Sequence, residues 1–249
     1  MPARTSLATA MRTITATTII TGMTTTTTEA AGEADRRAAL LRLLTWLSPA
    51  FPVGAFGWSH GLEAAIAEGR LSDAASVRGW IAALVTRGSG WNDLVLFAVA
   101  YRCAAARDEA GLAEVGELAL ALAGSAERRA ETAALGEAFA AAAAPWSETD
   151  AAPYPLAVAR VAAANGVLLG DALVAFAHAF AANLLSVAVR LVPLGQSQAV
   201  AVSRELEPAL LAAARQAEAA SLDDLGQAAL WSDIAAMRHE TLQPRLFRS

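Results

Sequence analysis

A catalytic or metal site in this chain would have to draw on three histidines, one cysteine and 24 acidic residues. His60 and Glu63 stand three apart and would share one helix face, the spacing that carboxylate-bridged metal sites use in pairs. No second pair accompanies them, so the expected role is a hydrogen-bonded first helical turn. His178 falls in a long apolar stretch, where a histidine is more often a satisfied core residue than a ligand. Cys103 has no CxxC companion and no partner for an intramolecular disulfide; it reads as a buried, inert thiol in a reducing compartment, the cytoplasm. Ser59 and His60 are adjacent, but no G-x-S-x-G elbow and no third member make a triad of them. All 19 basic residues are arginine, which removes any mechanism that needs lysine, the phosphate-binding P-loop and the Schiff base included. No catalytic, cofactor-binding or metal residue is assigned, and the chain is expected not to be an enzyme. Any nucleotide energy its work requires must come from a partner.

Two stretches call for another kind of chemistry. The segment Pro49 to Trp58 sets two prolines and two glycines among Phe51, Phe56 and Trp58, so it cannot continue a helix. An apolar, proline-braced loop serves either as a buried wedge or as a docking surface. Near the other end, Arg238, His239 and Glu240 lead into Arg245, Leu246, Phe247 and Arg248, a locally basic run in an acidic chain. Arginine and aromatic anchors in a mobile tail suit a docking peptide, since both give large contacts or bidentate bonds when a partner buries them. A truncation ending at Glu240 is then expected to weaken a complex and leave the isolated fold nearly intact.

The elements that must position these stretches read as helices. Apolar residues make up 55% of the chain against 17% charged, and much of the excess is alanine, the best helix former. Residues 1–34 are threonine-rich with no sustained apolar period and read as a disordered leader. From Arg36 onward, Leu40, Leu43, Leu44 and Leu47 follow the amphipathic pattern. Ser72 is the expected cap of the next helix, which Gly88 and Gly90 end. Further helices are predicted over roughly 92–109, 112–123, 126–143, 156–164, 171–191, 197–219 and 232–240, with a capping box at Ser221 to Asp224. The expectation is an all-α chain: leader 1–34, one compact multi-helix domain of about nine to ten helices over 35–240, and a tail 241–249. Asp171 to Val192 is the nearest approach to a membrane span, but His178, Asn183 and Arg190 interrupt it. It reads as a central helix with Leu173, Phe176, Phe180, Leu184 and Val187 in the core. A net charge of −5 and no concentrated basic surface exclude a nucleic-acid partner.

The same two stretches carry a resemblance. Leu44-Thr45-Trp46-Leu47-Ser48-Pro49-Ala50-Phe51-Pro52-Val53-Gly54-Ala55-Phe56, followed by Ser59-His60-Gly61-Leu62-Glu63, resembles the UreF signature. Arg190 to Gln196 matches a second block of that family, Arg128 to Leu135 a fainter one, and Asp233 to Thr241 with Arg245 to Ser249 its C-terminus. Leu242-Gln243-Pro244 departs from the more polar linker usual there, and the leader belongs to no family pattern. The resemblance implies a urease accessory protein, a nickel-insertion chaperone without cofactors of its own. Such a protein bridges UreD (UreH) and the GTPase UreG on the urease apoprotein, as a homodimer, and supports GTP-dependent nickel incorporation. Alternatively it activates UreG directly, or offers nickel a route past His60, Glu63, His239 or Glu240. On this reading Pro49, Phe51, Pro52 and Gly54 shape one contact surface, and Arg238, His239, Glu240, Arg245 and Phe247 order against UreD.

Overall fold

The computed structural model describes residues 17–248, with side chains described from Gly32 onward. The chain divides into two units, Met1–Ala38 and Ala39–Ser249. Helix α1 (Thr17–Trp46) begins inside the segment read as a leader; residues 1–16 of that segment lie outside the described residues. Within the first unit Glu33 and Arg37 form an exposed i, i+4 ion pair at 2.5 Å, worth a few tenths of a kcal/mol.

The second unit holds the end of α1 and nine further helices, with no strand among the described residues. They are α2 (Leu62–Ala67), α3 (Ala74–Arg87), α4 (Ser89–Ala106), α5 (Glu109–Ala121), α6 (Ala126–Ala143), α7 (Tyr154–Ala164), α8 (Leu169–Leu191), α9 (Gln196–Ala219) and α10 (Leu230–His239). Local chemistry sets several boundaries. The Asp73 carboxylate accepts the Ser76 N–H at 2.8 Å while the Ser76 hydroxyl takes the Asp73 N–H. This capping box starts α3 one residue later than a Ser72 cap would. Ser125 Oγ accepts the Arg128 N–H and starts α6 at its expected residue. Gly88 both ends α3 and caps α4, so Gly90 lies inside a helix.

Helix α4 is central and packs against α3, α5, α7, α8 and α9. Ala98 and Ala100 on α4 and Ala157, Ala159 and Ala162 on α7 are wholly buried, small side chains of the kind that let packed helices approach closely. The segment that leads into α7 crosses α6 at Gly136, where a Cβ would sit 1.7 Å from the Ala152 carbonyl oxygen. At the end of α1 the inward stripe is Leu43 and Trp46, with Leu47 partly buried; Leu40 and Leu44, expected on the same face, are exposed.

Helix α8 buries Leu173, Phe176, Leu184 and Val187 and packs Phe180 partly against the core, as the sequence led one to expect. It is the one helix among the described residues long and apolar enough to cross a membrane, yet half of its most apolar window is buried inside the chain. His178 is not a core histidine: it is exposed, on the outward stripe with Asp171 and Val174, because residues three and four apart share a helix face. Cys103 is half-buried, a free thiol that burial pushes above its ordinary pKa.

Candidate functional site

The proline-braced loop divides its aromatics between two sides. Phe51 packs on Phe139 at 5.5 Å and on Trp146 at 6.5 Å between ring centroids, and Trp58 is buried. Pro49, Pro52 and Phe56 face solvent, Phe56 with 61% of its surface exposed. Gly54, at φ 76°, turns the chain into the 3-10 turn Ala55–Gly57. The loop is therefore wedge and surface at once.

Immediately after it the backbone turns left-handed at His60 (φ 52°) and Gly61 (φ 73°) to start α2. That turn aims His60 inward, where Nε2 lies 2.9 Å from Glu131 Oε1. Glu131 also takes a 2.6 Å ion pair from Arg128, whose other Nη reaches Asp93 at 3.3 Å. Burial pushes the Glu131 carboxyl up, but the charges of Arg128 and His60 and the hydrogen bonds from both pull it down to about 2. Asp93 goes the other way: burial holds its carboxyl above the usual range, only partly offset by Arg128 and His60. Burial, with Asp93 nearby, also raises the Tyr154 phenol. These groups form the polar floor of a cavity of about 410 Å³ walled by Phe51, Phe56 and Phe180 and edged by His178, Asn183 and Arg190. A second, small cavity of about 40 Å³ shares His60, Asp93, Arg128 and Thr132 with it.

A second buried network lies one turn earlier on α6. His239 at the end of α10 is wholly buried, with Nε2 2.9 Å from Glu63 and Nδ1 2.7 Å from Glu127. Arg245 pairs with Glu127. Glu63 also accepts the Leu246 N–H at 2.7 Å and the Phe247 N–H at 3.0 Å. The Arg248 N–H then donates to the Gly57 carbonyl at 2.8 Å, and Arg190 lies 5.8 Å above the Phe247 ring. The segment read as a mobile docking tail is thus seated on the body of the chain, and Phe247 is 6% exposed. Truncation at Glu240 would strip Glu63 of two donors and uncover Phe247's site, so the isolated fold should lose stability, contrary to the reading from sequence.

The nine residues expected at contact surfaces fall into distinct settings. Pro49, Pro52, Arg238, Glu240 and Arg245 are exposed, Phe51 and Gly54 are partly buried, and His239 and Phe247 are interior. Arg238 pairs with Glu68 at 2.7 Å, and Glu240 accepts the Ala126 N–H at 2.9 Å at the start of α6. Loop and tail, some 190 residues apart in sequence, are adjacent in space. Sequence reasoning missed Glu127 and Glu131 as the partners of the histidines. The signal was available: Glu127, Glu131, Leu135 and Phe139 recur every four residues along α6, which puts carboxylates in line with an apolar stripe. Among the described residues no three His, Cys, Asp or Glu side chains converge as a metal-holding group.

Residues 71–207 match the UreF family model. A relative from Brucella anthropi, named urease accessory protein UreF 1, is 51% identical over 233 residues, covering 91% of this chain and 99% of its own length. The chain belongs to the UreF family. UreF relatives from Mesorhizobium japonicum and Rhizobium leguminosarum bv. viciae are each 50% identical over 217 residues, covering 85% of this chain and 96% of their own. For this UreF chain the family model spans α3 to the first half of α9, the helices that carry both carboxylates of α6 and the core around α4.

Proposed function

We propose that this chain is a non-enzymatic adaptor of urease maturation in the cytoplasm. It binds UreD (UreH), through it the urease apoprotein, and receives the GTPase UreG, so that GTP hydrolysis by UreG supports nickel insertion; it acts as a homodimer within that assembly. The observation that supports the UreD surface is a set of large apolar side chains left exposed on α10 and the C-terminal segment. Leu230 is 69% exposed, Trp231 56%, Met237 50% and Leu246 78%. Apolar and aromatic groups of this size, held on ordered backbone, are the usual anchors of a protein interface. Arg70 lies 3.9 Å over the Trp231 ring and also pairs with Glu68, which holds Arg238, so the anchors are framed by charges as an interface rim is.

Co-purification tests it. The double variant Trp231→Ala, Leu246→Ala is expected to weaken UreD binding by about a thousandfold in affinity, since central anchors cost about 2 kcal/mol each, while the circular dichroism of the free chain stays unchanged. Undiminished retention would remove this face from the interface.

A nickel route is a second reading, favoured by the two cavities that share His60, Asp93, Arg128 and Thr132 as lining. Glu63 and His239, considered for that route, line neither cavity. The isosteric Asp93→Asn variant is expected to keep both partners bound yet slow nickel-dependent urease activation; unchanged activation would end this reading.

A further inference from the structure

We infer that His239 is a buried imidazolium, and that its second proton is what joins the C-terminal segment to α2 and α6 in the free chain. The ring has no exposed surface. Nδ1 lies 2.7 Å from Glu127 Oε2 and Nε2 2.9 Å from Glu63 Oε2. An ionised carboxylate only accepts hydrogen bonds, and a neutral imidazole has a single N–H. With a neutral ring, one nitrogen would point a lone pair at a carboxylate oxygen at hydrogen-bond distance. Both contacts are attractive only if the group holds one further proton, on the second ring nitrogen or on one of the carboxylates.

The remaining donors around the ring favour placing that proton on the imidazole. Glu63 already accepts two backbone N–H groups, those of Leu246 and Phe247. Glu127 already accepts from the Arg245 guanidinium. Each carboxylate therefore already accepts from donors outside the ring. Two carboxylates, one imidazolium and Arg245 sum to zero charge. The same group with a neutral ring would hold one uncompensated negative charge beside an imidazole that has no exposed surface, which is costly. Other charges nearby are committed elsewhere: Arg238 to Glu68, Glu240 to the Ala126 N–H, and the His60–Glu131–Arg128–Asp93 set to itself. Asp233, on α10, borders the small cavity.

His239 is thus a positioning residue that acts through Glu63 and Glu127. Glu63 orders the Leu246 and Phe247 amides directly, and the imidazolium keeps its carboxylate from being repelled by Glu127 across the ring. The inference concerns the free chain and does not depend on which partner the surface binds.

Nitrogen-15 NMR of histidine-labelled full-length protein at neutral pH reads the protonation directly. Two protonated ring nitrogens are expected at His239. In Glu127→Gln, where the introduced side-chain amide can donate an N–H to Nδ1, the ring is expected to become a neutral tautomer in a folded chain. Hydrogen exchange supplies the mechanical half. In His239→Gln the Leu246 and Phe247 amides should exchange at least about tenfold faster, with α4 and α8 unaffected. A neutral His239 in the unaltered protein, or an imidazolium that persists in Glu127→Gln, would overturn the inference. So would unchanged exchange at Leu246 and Phe247.

Discussion

Replacing Glu131 by alanine lowers the stability of the chain by about 3–5 kcal/mol, because it removes the carboxylate that pairs the buried Arg128 guanidinium and hydrogen-bonds His60. Glu131 is 1% exposed and lies between His60 Nε2 at 2.9 Å and Arg128 at 2.6 Å. Without it Arg128 keeps only Asp93, at 3.3 Å, and burial opposes ionisation of that carboxyl. The pH dependence gives an independent measure. Glu131 is held at about 2 in the fold against 4.5 for an ordinary glutamate, a difference equivalent to about 3 kcal/mol. A depressed carboxylate stabilises fully above its unfolded value and loses that contribution as pH falls through its folded value. Urea unfolding of the unaltered chain and the variant should therefore differ most above pH 4.5 and converge as pH approaches 2. A gap that does not narrow in acid would show that the loss comes from the cavity left by the side chain and not from its charge. The Glu131→Gln variant, which keeps the volume, separates the same two causes at neutral pH.

Gly61→Ala is expected to cost about 2–5 kcal/mol, the sum of a left-handed backbone and a clash with fixed main chain. Gly61 has φ +73°, and a Cβ built there would lie 2.5 Å from the Ala236 nitrogen and 2.9 Å from the Ala235 carbonyl carbon. Those atoms belong to α10, so the methyl group can be accommodated only if α10 moves off the start of α2. That movement would separate His239 from Glu63 and release the C-terminal segment. Gly69 is the control: at φ +72° with nothing within 4 Å of its Cβ position, its alanine variant should lose only the backbone part, about 1–2 kcal/mol. Urea midpoints of the two variants decide the matter, and equal losses would mean that the α2–α10 approach is not tight. Protection of the Phe247 amide should fall in Gly61→Ala and hold in Gly69→Ala.

Much of the helical architecture could be read from local signals. Ser125 and the residues ahead of Pro145 bound α6 at Ala126–Ala143 as expected, and α8 and α9 differ from their expected starts by two residues and one. Caps, glycines and prolines act over three or four residues, so the chain carries them within any short window. Periodicity was less decisive where a helix is apolar on more than one side. Along α1 it put Leu40 and Leu44 on the inward face with Leu43, and only the packed unit distinguishes them. On α8 it left His178 among core residues, when a turn of about 100° per residue carries it to the outside.

The candidate site was legible in its two separate halves and not in its assembly. The loop and the C-terminal run stood out by composition. What binds them together is contact between residues far apart in the chain: Glu63 and His239 are separated by 176 residues, Glu127 and His239 by 112, and Leu246 and Glu63 by 183. By itself, then, the sequence determined an all-helical chain, most of its helix boundaries, and two unusual segments whose motifs resemble the UreF family. Tertiary structure decided that these segments meet, that the tail is seated in the fold, and that His60 and His239 each face a buried carboxylate. The reason is physical. Helix formation follows from interactions within a turn or two, whereas the partner of a buried charge is settled only when packing brings distant elements together and removes the water that would otherwise solvate it.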